Sequence, residues 1–473
     1  MLCPQATAYA VHNNGGDQRP LGHLTPKPDH SPKKNFLQDH HGHAIATEGE
    51  GQQHKLRLPW LPELLIDIHR SLIEIPSISG SEHDVGVYLM SVLERYDFTT
   101  QKQVVPSSDN STTSERFNIL AWPNFGHRHT NSKEDKKDIH RHRMLVTSHI
   151  DVVPPYIPYS IAPPPEEESK RDDSYKKWII RGRGSVDAKA AVAAQITALM
   201  LFLGIENNEL RSGVGPDDFM MLFVVGEEVG GDGMKYYSSV RQKELSSGEK
   251  KSNFEAAIFG EPTENKLACG HKGHLSGSIR AKGKAGHSGY PWLFQSATEL
   301  LMRGLLKLID SDLGSSDRYG NTTVNVGVLE GGVAGNVIAA NASARVTVRV
   351  AAGNQTTGSH IVADKIQELL KEVDGEEGAF EVDWFEGNGY GPVECRCDVE
   401  GFENMVASYG TDVPNLEGDH VSYLYGPGSI LVAHGDDEAL TVGELVEATM
   451  GYVRLIKTHF GIHNGWDDDA RDY

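Results

Sequence analysis

The chain has 473 residues, which is too long for one hydrophobic core of ordinary size, so we expect two domains. With 38% hydrophobic and 23% charged residues its composition is that of a soluble globular protein, and no apolar run approaches the roughly 20 residues that a membrane helix needs. The formal net charge of −21 argues against nucleic acid or an anionic membrane as a partner, because both attract a basic surface.

The amino-terminal segment, residues 1–55, is rich in His, Gly, Pro, Asn and Asp and has no hydrophobic period. We therefore predict a disordered tail there. Order is expected from about residue 58, with apolar positions at helical spacing over 61–72 and 85–92.

Strand-like apolar runs then alternate with a helical segment. The alanine-rich run 188–203 is long enough for a helix and lies between two of the strands. The four predicted strands span 117–122, 144–150, 219–225 and 254–259. Strands that alternate with helices predict an α/β fold with an open, mainly parallel sheet.

The character of the sequence changes near residue 269. Leu275–Arg280 alternates like an exposed strand, and further alternating strands and amphipathic helices follow up to about residue 385. This pattern predicts a smaller α+β domain over 269–385, inserted between the two parts of the first domain, 56–268 and 386–473.

Cysteine is sparse, and no CxxC pair is present. Cys395 and Cys397 would point to opposite faces of a strand, which disfavours a disulfide between them. The thiols leave the cellular compartment open.

The first candidate site residues follow the strand 144–150. His149 and Asp151 share one face of an extended segment, so the carboxylate can orient the imidazole. A lone His-x-Asp is more often structural than catalytic. Asp187 follows a glycine turn at the start of the alanine-rich helix, where an ordinary helix N-cap is the simpler interpretation.

Four further acidic or histidine residues complete an ordered series. Glu227 and Glu228 follow a strongly apolar strand, and adjacent carboxylates there repel each other unless cations neutralise them, although a solvated loop is an alternative. Glu261 also lies just beyond an apolar strand, and His434 follows the short apolar run 429–432. Carboxylates and imidazoles that gather at strand ends indicate a metal-dependent site.

These motifs resemble the two-zinc aminoacyl hydrolases that include acetylornithine deacetylase, succinyl-diaminopimelate desuccinylase, aminoacylase and bacterial glutamate carboxypeptidase. The resemblance is greatest to fungal probable carboxypeptidases of that group and covers about residues 60 to 460. The motifs in family order are SHIDVVPP, GRGSVDAK, VVGEEVGGDGM, FGEPT, AGHSGYP and AHGDDEALTVGE. One departure is Ala190, where the family usually has glycine after Asp-x-Lys.

The resemblance implies two zinc ions per chain, with cobalt or manganese as substitutes. By resemblance to the family motifs, His149 and Glu261 are expected to hold one ion, Glu228 and His434 the other, and Asp187 is expected to bridge them. Catalytic roles are implied for Glu227, which activates a metal-bridging water, for Asp151 behind His149, and for His287 in the AGHSGYP motif. A simple surface histidine of the inserted domain is the alternative interpretation of His287.

The inserted domain is implied to serve as a lid and dimerisation domain, which allows a homodimer. Asn336 and Arg349 are candidate binders of the substrate carboxylate, since arginine offers a fork of donors that fits a carboxylate. An arginine at a strand end is otherwise usually solvated.

The expected activity is hydrolysis of a peptide or amide bond next to a free carboxylate, with a small peptide or N-acyl amino acid as substrate. A zinc carboxypeptidase is favoured. An N-acyl amino acid deacylase such as acetylornithine deacetylase is the alternative, and an inactive binding homologue is the alternative of another class. Intact Glu227 and all five implied ligands argue against the last.

Secretion is expected from the likeness to fungal carboxypeptidases, with the cytoplasm as the alternative because the start shows no signal peptide. Four N-x-Ser/Thr sequons, at Asn110, Asn321, Asn341 and Asn354, would suit a secreted glycoprotein. A chain of this length also acquires a few sequons by chance.

Overall fold

A computed structural model describes residues 61–106, 115–124, 142–164, 174–206, 213–247, 253–375, 378–385 and 389–462. The tail predicted over residues 1–55 lies outside the described residues, as does the sequon at Asn110.

Within these ranges the chain forms seven α-helices and twenty strands. The helices are α1 (Leu61–Glu74), α2 (His83–Arg95), α3 (Lys189–Glu206), α4 (Asp232–Ser246), α5 (Ala297–Asp310), α6 (Gly358–Asp374) and α7 (Val442–His459). The strands are β1 (Phe98–Val104), β2 (Phe117–Pro123), β3 (Met144–His149), β4 (Ser160–Ala162), β5 (Ile179–Arg181), β6 (Phe219–Val224), β7 (Ala256–Gly260), β8 (Leu267–His271), β9 (Gly273–Lys282), β10 (Gly286–His287), β11 (Ser315–Ser316), β12 (Gly320–Asn321), β13 (Thr323–Gly331), β14 (Val337–Ile338), β15 (Asn341–Val350), β16 (Phe380–Trp384), β17 (Val393–Glu394), β18 (Asn404–Ala407), β19 (Val421–Tyr425) and β20 (Ala439–Thr441). No helix of the described part is both long and apolar enough to span a bilayer.

The central sheet has the strand order β1-β2-β6-β3-β7-β19-β8-β17, with β18 beside β8. Its middle strands β6, β3, β7 and β19 run parallel, and antiparallel pairs lie towards the edges. Strands β3, β6 and β7 are buried along their whole length, which is typical of parallel strands covered on both faces. The predicted open, mainly parallel sheet is confirmed.

Helices cover both faces of this sheet. On one face α3 packs against α1, α7 and β3, and Val146 of β3 belongs to that core. On the other face Met234 and Tyr237 of α4 pack with Leu145, the neighbour of Val146 in the strand. Because side chains alternate along a strand, one apolar run supplies both cores.

The part of the chain that follows β8 and precedes β17 in sequence forms a separate antiparallel sheet. Its strand order is β13-β15-β9-β16, and α5 and α6 lie on one of its faces. Its core is distinct from those of the central sheet. The strand predicted at Leu275–Arg280 is present, with Leu275 and Ile279 buried and Ser276 and Arg280 partly exposed, although it is not an exposed edge strand. That segment lies in β9, which is paired on both sides, and Leu275 and Ile279 are fully buried beneath the helices. The inserted α+β unit is present, and its predicted limits at residues 269 and 385 stay a prediction.

A disulfide joins Cys269 of β8 to Cys397, which are 128 residues apart in sequence, and Cys395 is a free thiol. Cys395 and Cys397 are not bonded to each other, as their alternation along the chain indicated. The bond ties the segment that follows the inserted unit back to the central sheet.

Candidate metal centre

Residues from three separate segments converge at the carboxyl edge of the central sheet. His149 is the last residue of β3, Glu228 follows β6, and Asp187 lies two residues before α3. One ligand atom from each of these three residues lies within 4.8 Å of the others. Parallel strands end at the same edge of a sheet, which is why residues distant in sequence meet there.

Asp187 stands between two histidines. Its Oδ1 accepts a hydrogen bond from Nε2 of His149 at 3.0 Å, and its Oδ2 lies 3.3 Å from Nε2 of His434. The same His434 nitrogen is 3.0 Å from Oε2 of Glu228. The Asp187 carboxylate therefore presents one oxygen to each side of the centre.

Asp151 is fully buried behind this cluster, and its contacts go further than the sequence predicted. Its carboxylate accepts hydrogen bonds from the Ser79 hydroxyl at 2.7 Å and from the backbone N–H groups of Glu227 and Glu228 at 3.1 and 3.3 Å. Nδ1 of His149 donates to the backbone carbonyl of Asp151 at 2.9 Å and lies 3.5 Å from its Oδ1. Asp151 thus positions the Glu227–Glu228 turn as well as the imidazole.

Glu227 and Glu261 line the same cavity, of about 490 Å³, as Asp187, Glu228 and His434. Burial and the charge of Glu261 raise the pKa of Glu227 well above its usual value. Burial, with a contribution from Asp187, does the same to the pKa of Glu261. The five predicted ligands and Glu227 are therefore placed around one centre, although they are spread over 286 positions of sequence from His149 to His434.

The neighbouring carboxylates raise the pKa values of His149 and His434. Hydrogen bonds to Asp187 and Glu228 raise the pKa of His434 to about 10. Burial opposes a charge on His149, but its contacts with Asp151 and Asp187 raise its pKa well above the usual value. Positive charge is stabilised strongly at this position.

The donor set fits divalent cations. All of the donors are carboxylate oxygens or imidazole nitrogens without thiolate, as in catalytic zinc sites and in cobalt or manganese sites. Oε1 of Glu228 is buried and has no hydrogen-bond partner among the described residues. A buried carboxylate oxygen without a partner is costly unless a cation meets it.

A buried ion pair that supports Asp187 was not predicted from the sequence. Glu438 accepts hydrogen bonds from the backbone N–H groups of Val186 and Asp187 at 2.9 and 3.2 Å, and its other oxygen binds Arg183 at 2.7 Å. Arg183 also donates to the carbonyl of His434 at 3.3 Å. Both residues stood in recognised motifs, GRGSVDAK and AHGDDEALTVGE, so motif membership was the available signal.

Asp412 is a further acidic residue of the cavity that was missed. It is 5% exposed, its Oδ1 accepts from Asn415 at 2.7 Å, and its Oδ2 has no hydrogen-bond partner within the described part of the chain. Burial raises its pKa to about 6. It lies in a turn between strands rather than after an apolar run, so no sequence signal marked it.

The predicted residues of the inserted unit divide into two groups. Arg349 lines the metal-site cavity. His287 and Asn336 do not line it, and they lie together at the two-stranded antiparallel sheet of β10 and β14, where the N–H of Ser288 donates to the Asn336 carbonyl at 3.2 Å. His287 is exposed in the single chain.

Known proteins resemble the chain along most of its length. Residues 269–377 match the family profile described as a peptidase dimerisation domain. A Sordaria macrospora protein named for its peptidase M20 domain is 53% identical over 429 residues, covering 88% of this chain and 89% of that protein. An Aspergillus oryzae protein named a probable carboxypeptidase is 43% identical over 406 residues, covering 83% of this chain and 86% of the relative.

Solved structures share the fold at low sequence identity. A Staphylococcus aureus tripeptidase matches with a TM-score of 0.62 and 17% identity, over 85% of this chain and 99% of its own. A Bacillus subtilis protein, described as a dinuclear metal-binding peptidase of the M20 family, matches with a TM-score of 0.51 and 16% identity, also over 85% and 99%.

Proposed function

Because this chain belongs to the M20 peptidase family, we propose that it is a two-zinc carboxypeptidase that hydrolyses the peptide or amide bond next to a free carboxylate. The observation that carries the proposal is the placement of Arg349 in the same cavity as the His149–Asp187–Glu228 cluster. Acidic side chains that could bind metal and a cationic side chain then line one cavity, within reach of a single substrate. The names of the fungal relatives support the same activity.

The five carboxylate and imidazole side chains divide between two metal ions. In this proposal His149 and Glu261 would hold one ion, Glu228 and His434 would hold the other, and Asp187 would supply a ligand oxygen to each. The contacts of Asp187 with one histidine on each oxygen support the division. Two bound divalent ions would lower the pKa of a water molecule held between them and polarise the substrate carbonyl.

Glu227 is the proposed general base and acid. Asp151 holds the backbone N–H groups of both Glu227 and Glu228, and the Glu228 carboxylate contacts His434. Burial and the charge of Glu261 raise the pKa of Glu227 well above its usual value. A carboxylate with a pKa moved towards neutrality can take a proton from water and return it to the leaving amine nitrogen. The overall reaction adds one water across the C–N bond and yields a carboxylate and an amine.

Arg349 is the proposed anchor for the substrate carboxylate. It is half-buried, and none of the described carboxylates pairs with it; its one hydrogen bond goes to Nδ1 of His274. A guanidinium has five donors and favours bidentate binding of a carboxylate. Peptides and N-acyl amino acids with a free carboxyl terminus supply this partner.

His287 is the proposed donor to the carbonyl oxygen of the substrate. The N–H of Gly289 donates to Nδ1 of His287 at 3.0 Å, which leaves the proton of a neutral imidazole on Nε2. Since His287 is exposed and lies outside the cavity of its own chain, we propose that it acts in a homodimer, from one protomer on the site of its partner. Asn336 lies beside it and would accompany it.

A substrate panel tests the proposal. Dipeptides, N-acyl amino acids and their carboxyl-terminal amides are assayed with the purified protein and added zinc or cobalt. Hydrolysis of dipeptides that depends on the metal and on the free carboxylate is expected. Hydrolysis of N-acyl amino acids alone would identify a deacylase instead, and a metal-loaded protein inert on the whole panel would overturn the assignment as an enzyme.

A further inference from the structure

The side chain of Arg349 is hydrogen-bonded to a histidine on the neighbouring strand of its sheet. Arg349 in β15 and His274 in β9 are directly paired across neighbouring antiparallel strands, which places both side chains on one face of the sheet. Nη1 of Arg349 lies 3.3 Å from Nδ1 of His274. Both residues line the metal-site cavity.

The contact defines the state of the imidazole. Arginine can only donate, so Nδ1 of His274 must accept and carry no proton. Burial, reinforced by the charge of Arg349, lowers the pKa of His274 to about 4, so the ring is neutral at ordinary pH. The proton of the ring is then on Nε2, and the ring faces the guanidinium as an acceptor.

His274 is itself held firmly. Its backbone N–H and carbonyl exchange hydrogen bonds with Tyr390 at 3.0 and 2.9 Å, and the Tyr390 ring lies 6.3 Å from the imidazole between ring centroids. Gly410 also approaches the guanidinium closely, since a Cβ atom there would lie 3.3 Å from Nη1 of Arg349 and 2.5 Å from the Tyr390 hydroxyl. The guanidinium therefore lies in a narrow space in which His274 supplies the acceptor.

We propose that His274 is a positioning residue, which holds the Arg349 guanidinium in the orientation that receives the carboxylate of the substrate. This inference rests on the proposed role of Arg349. A free arginine side chain loses substantial rotational freedom when it is fixed, and an acceptor that fixes it beforehand removes part of that loss from substrate binding. His274 acts through Arg349 and does not touch the reacting atoms.

The test compares His274→Leu with His274→Asn. Leucine is of similar size and has no acceptor, whereas the Oδ1 of asparagine can occupy nearly the position of Nδ1. KM and kcat are measured for the best dipeptide of the panel and for its carboxyl-terminal amide. For the dipeptide, His274→Leu is expected to raise KM roughly tenfold, as for loss of a hydrogen bond to a charged group. His274→Leu should change kcat less than KM, and it should leave the kinetics of the amide unchanged. His274→Asn should recover most of the affinity for the dipeptide.

Arg349→Gln separates the inference from the function on which it rests. If Arg349→Gln leaves the preference for the dipeptide over its amide intact, the proposed role of Arg349 fails and the inference fails with it. If Arg349→Gln abolishes the preference while His274→Leu behaves as wild type, the inference alone is wrong. Equal weakening of both substrates by His274→Leu, or an Asn variant no better than Leu, would also overturn it. Thermal unfolding and metal content of each variant must match wild type.

Discussion

The backbone N–H of Asp187 donates to Oε1 of Glu438 at 3.2 Å, so the carboxylate between the two histidines is positioned through its own main chain. Glu438 and its partner Arg183 are both almost fully buried, and Arg183 also reaches the carbonyl of His434. The motif AHGDDEALTVGE thus contributes His434 to the centre and also Glu438, the acidic partner in the ion pair that fixes the turn before α3. A charged group of this kind is costly to bury unless its partner is present.

Glu438→Gln is expected to destabilise the protein by about 3–5 kcal/mol, because it leaves the Arg183 guanidinium buried without a countercharge. The free energy of unfolding in denaturant measures the loss, and metal content should fall with it. Glu394→Gln is the matched control, since Glu394 pairs with Arg318 at the surface with its side chain 81% exposed, and it should change stability little. Equal stability of the two variants would show that the buried pair is not needed.

Asp187→Ala is expected to abolish turnover and to reduce the metal content from two ions per chain to one or none. Its carboxylate contacts both histidines, so neither half of the centre is complete without it. Elemental analysis of protein purified without chelators measures the content. Asp436 is an exposed aspartate two residues after His434, and the control variant Asp436→Ala should keep both ions. A wild-type protein that is active in strong chelator with no metal would contradict the mechanism.

Glu227→Gln should impair catalysis, whereas Glu228→Gln should impair metal binding. Glu228 contacts His434 and is the proposed ligand, so its replacement should weaken binding of one ion. Glu227 is the proposed proton carrier, and Glu227→Gln should keep both ions while lowering kcat by roughly 10²–10⁴-fold, the usual contribution of a general base. Metal titration and steady-state kinetics of both variants make the comparison. Near-normal kcat in Glu227→Gln would reverse the assignment.

A buried histidine under the Asp187 turn should make stability depend on pH. Nε2 of His69 donates to the carbonyl of Ser185 at 3.0 Å, and burial lowers the pKa of His69 to about 3. The folded pKa lies below the unfolded value of about 6.5, so the unfolded chain binds the proton more tightly. The stabilisation from neutral His69 is complete above pH 6.5 and is lost as the pH falls towards 3.

Between pH 6.5 and pH 4 this loss is about 3 kcal/mol, since one pKa unit corresponds to about 1.4 kcal/mol. The free energy of unfolding of the metal-free protein is measured across this range for wild type and His69→Gln. The variant should lose less stability with acid than wild type does. His360→Gln removes an exposed histidine of α6 and should keep the wild-type slope. A slope unchanged in His69→Gln would mean that other groups carry the acid sensitivity.

Local sequence signals were sufficient for the centre of the fold. Apolar runs such as 144–150 and 219–225 identify buried strands. Polar residues at or just beyond the ends of these strands, such as His149 and Glu228, fall at the shared edge of a parallel sheet. Helix α4, at Asp232–Ser246, was not predicted. Its sequence is mostly polar, and the few residues that it buries, such as Met234 and Tyr237, pack against the central sheet.

Long-range contacts could not be predicted in the same way. Glu438 reaches Asp187 across 251 positions, and the disulfide joins Cys269 to Cys397 across 128. His434 adopts a left-handed backbone with φ of 64°, which its own side chain does not favour and which the surrounding fold must impose. Such features depend on the assembled tertiary structure, and no period in the sequence encodes them.

His287 lies outside the cavity of its own chain. His287→Ala should fold normally and keep its metals. A donor to the carbonyl oxygen acts mainly in the transition state, so its loss should lower kcat by roughly 10²–10³-fold and change KM less. An unchanged kcat would return His287 to an ordinary surface histidine.

Mixing two inactive variants shows whether His287 acts on the site of its own chain or on the site of its partner. In a mixed dimer of His287→Ala and Glu227→Gln chains, one site would combine an intact Glu227 with an intact His287 from the partner. Statistical mixing makes half of the dimers mixed and restores one of their two sites, so activity should recover to about a quarter of wild type. Because each variant alone is nearly inactive, the recovered activity must come from the mixed species, whose presence is verified by affinity tags on the two chains. A proven mixed dimer without recovery would confine His287 to its own chain, where it could reach the metal centre only by a movement of the inserted unit.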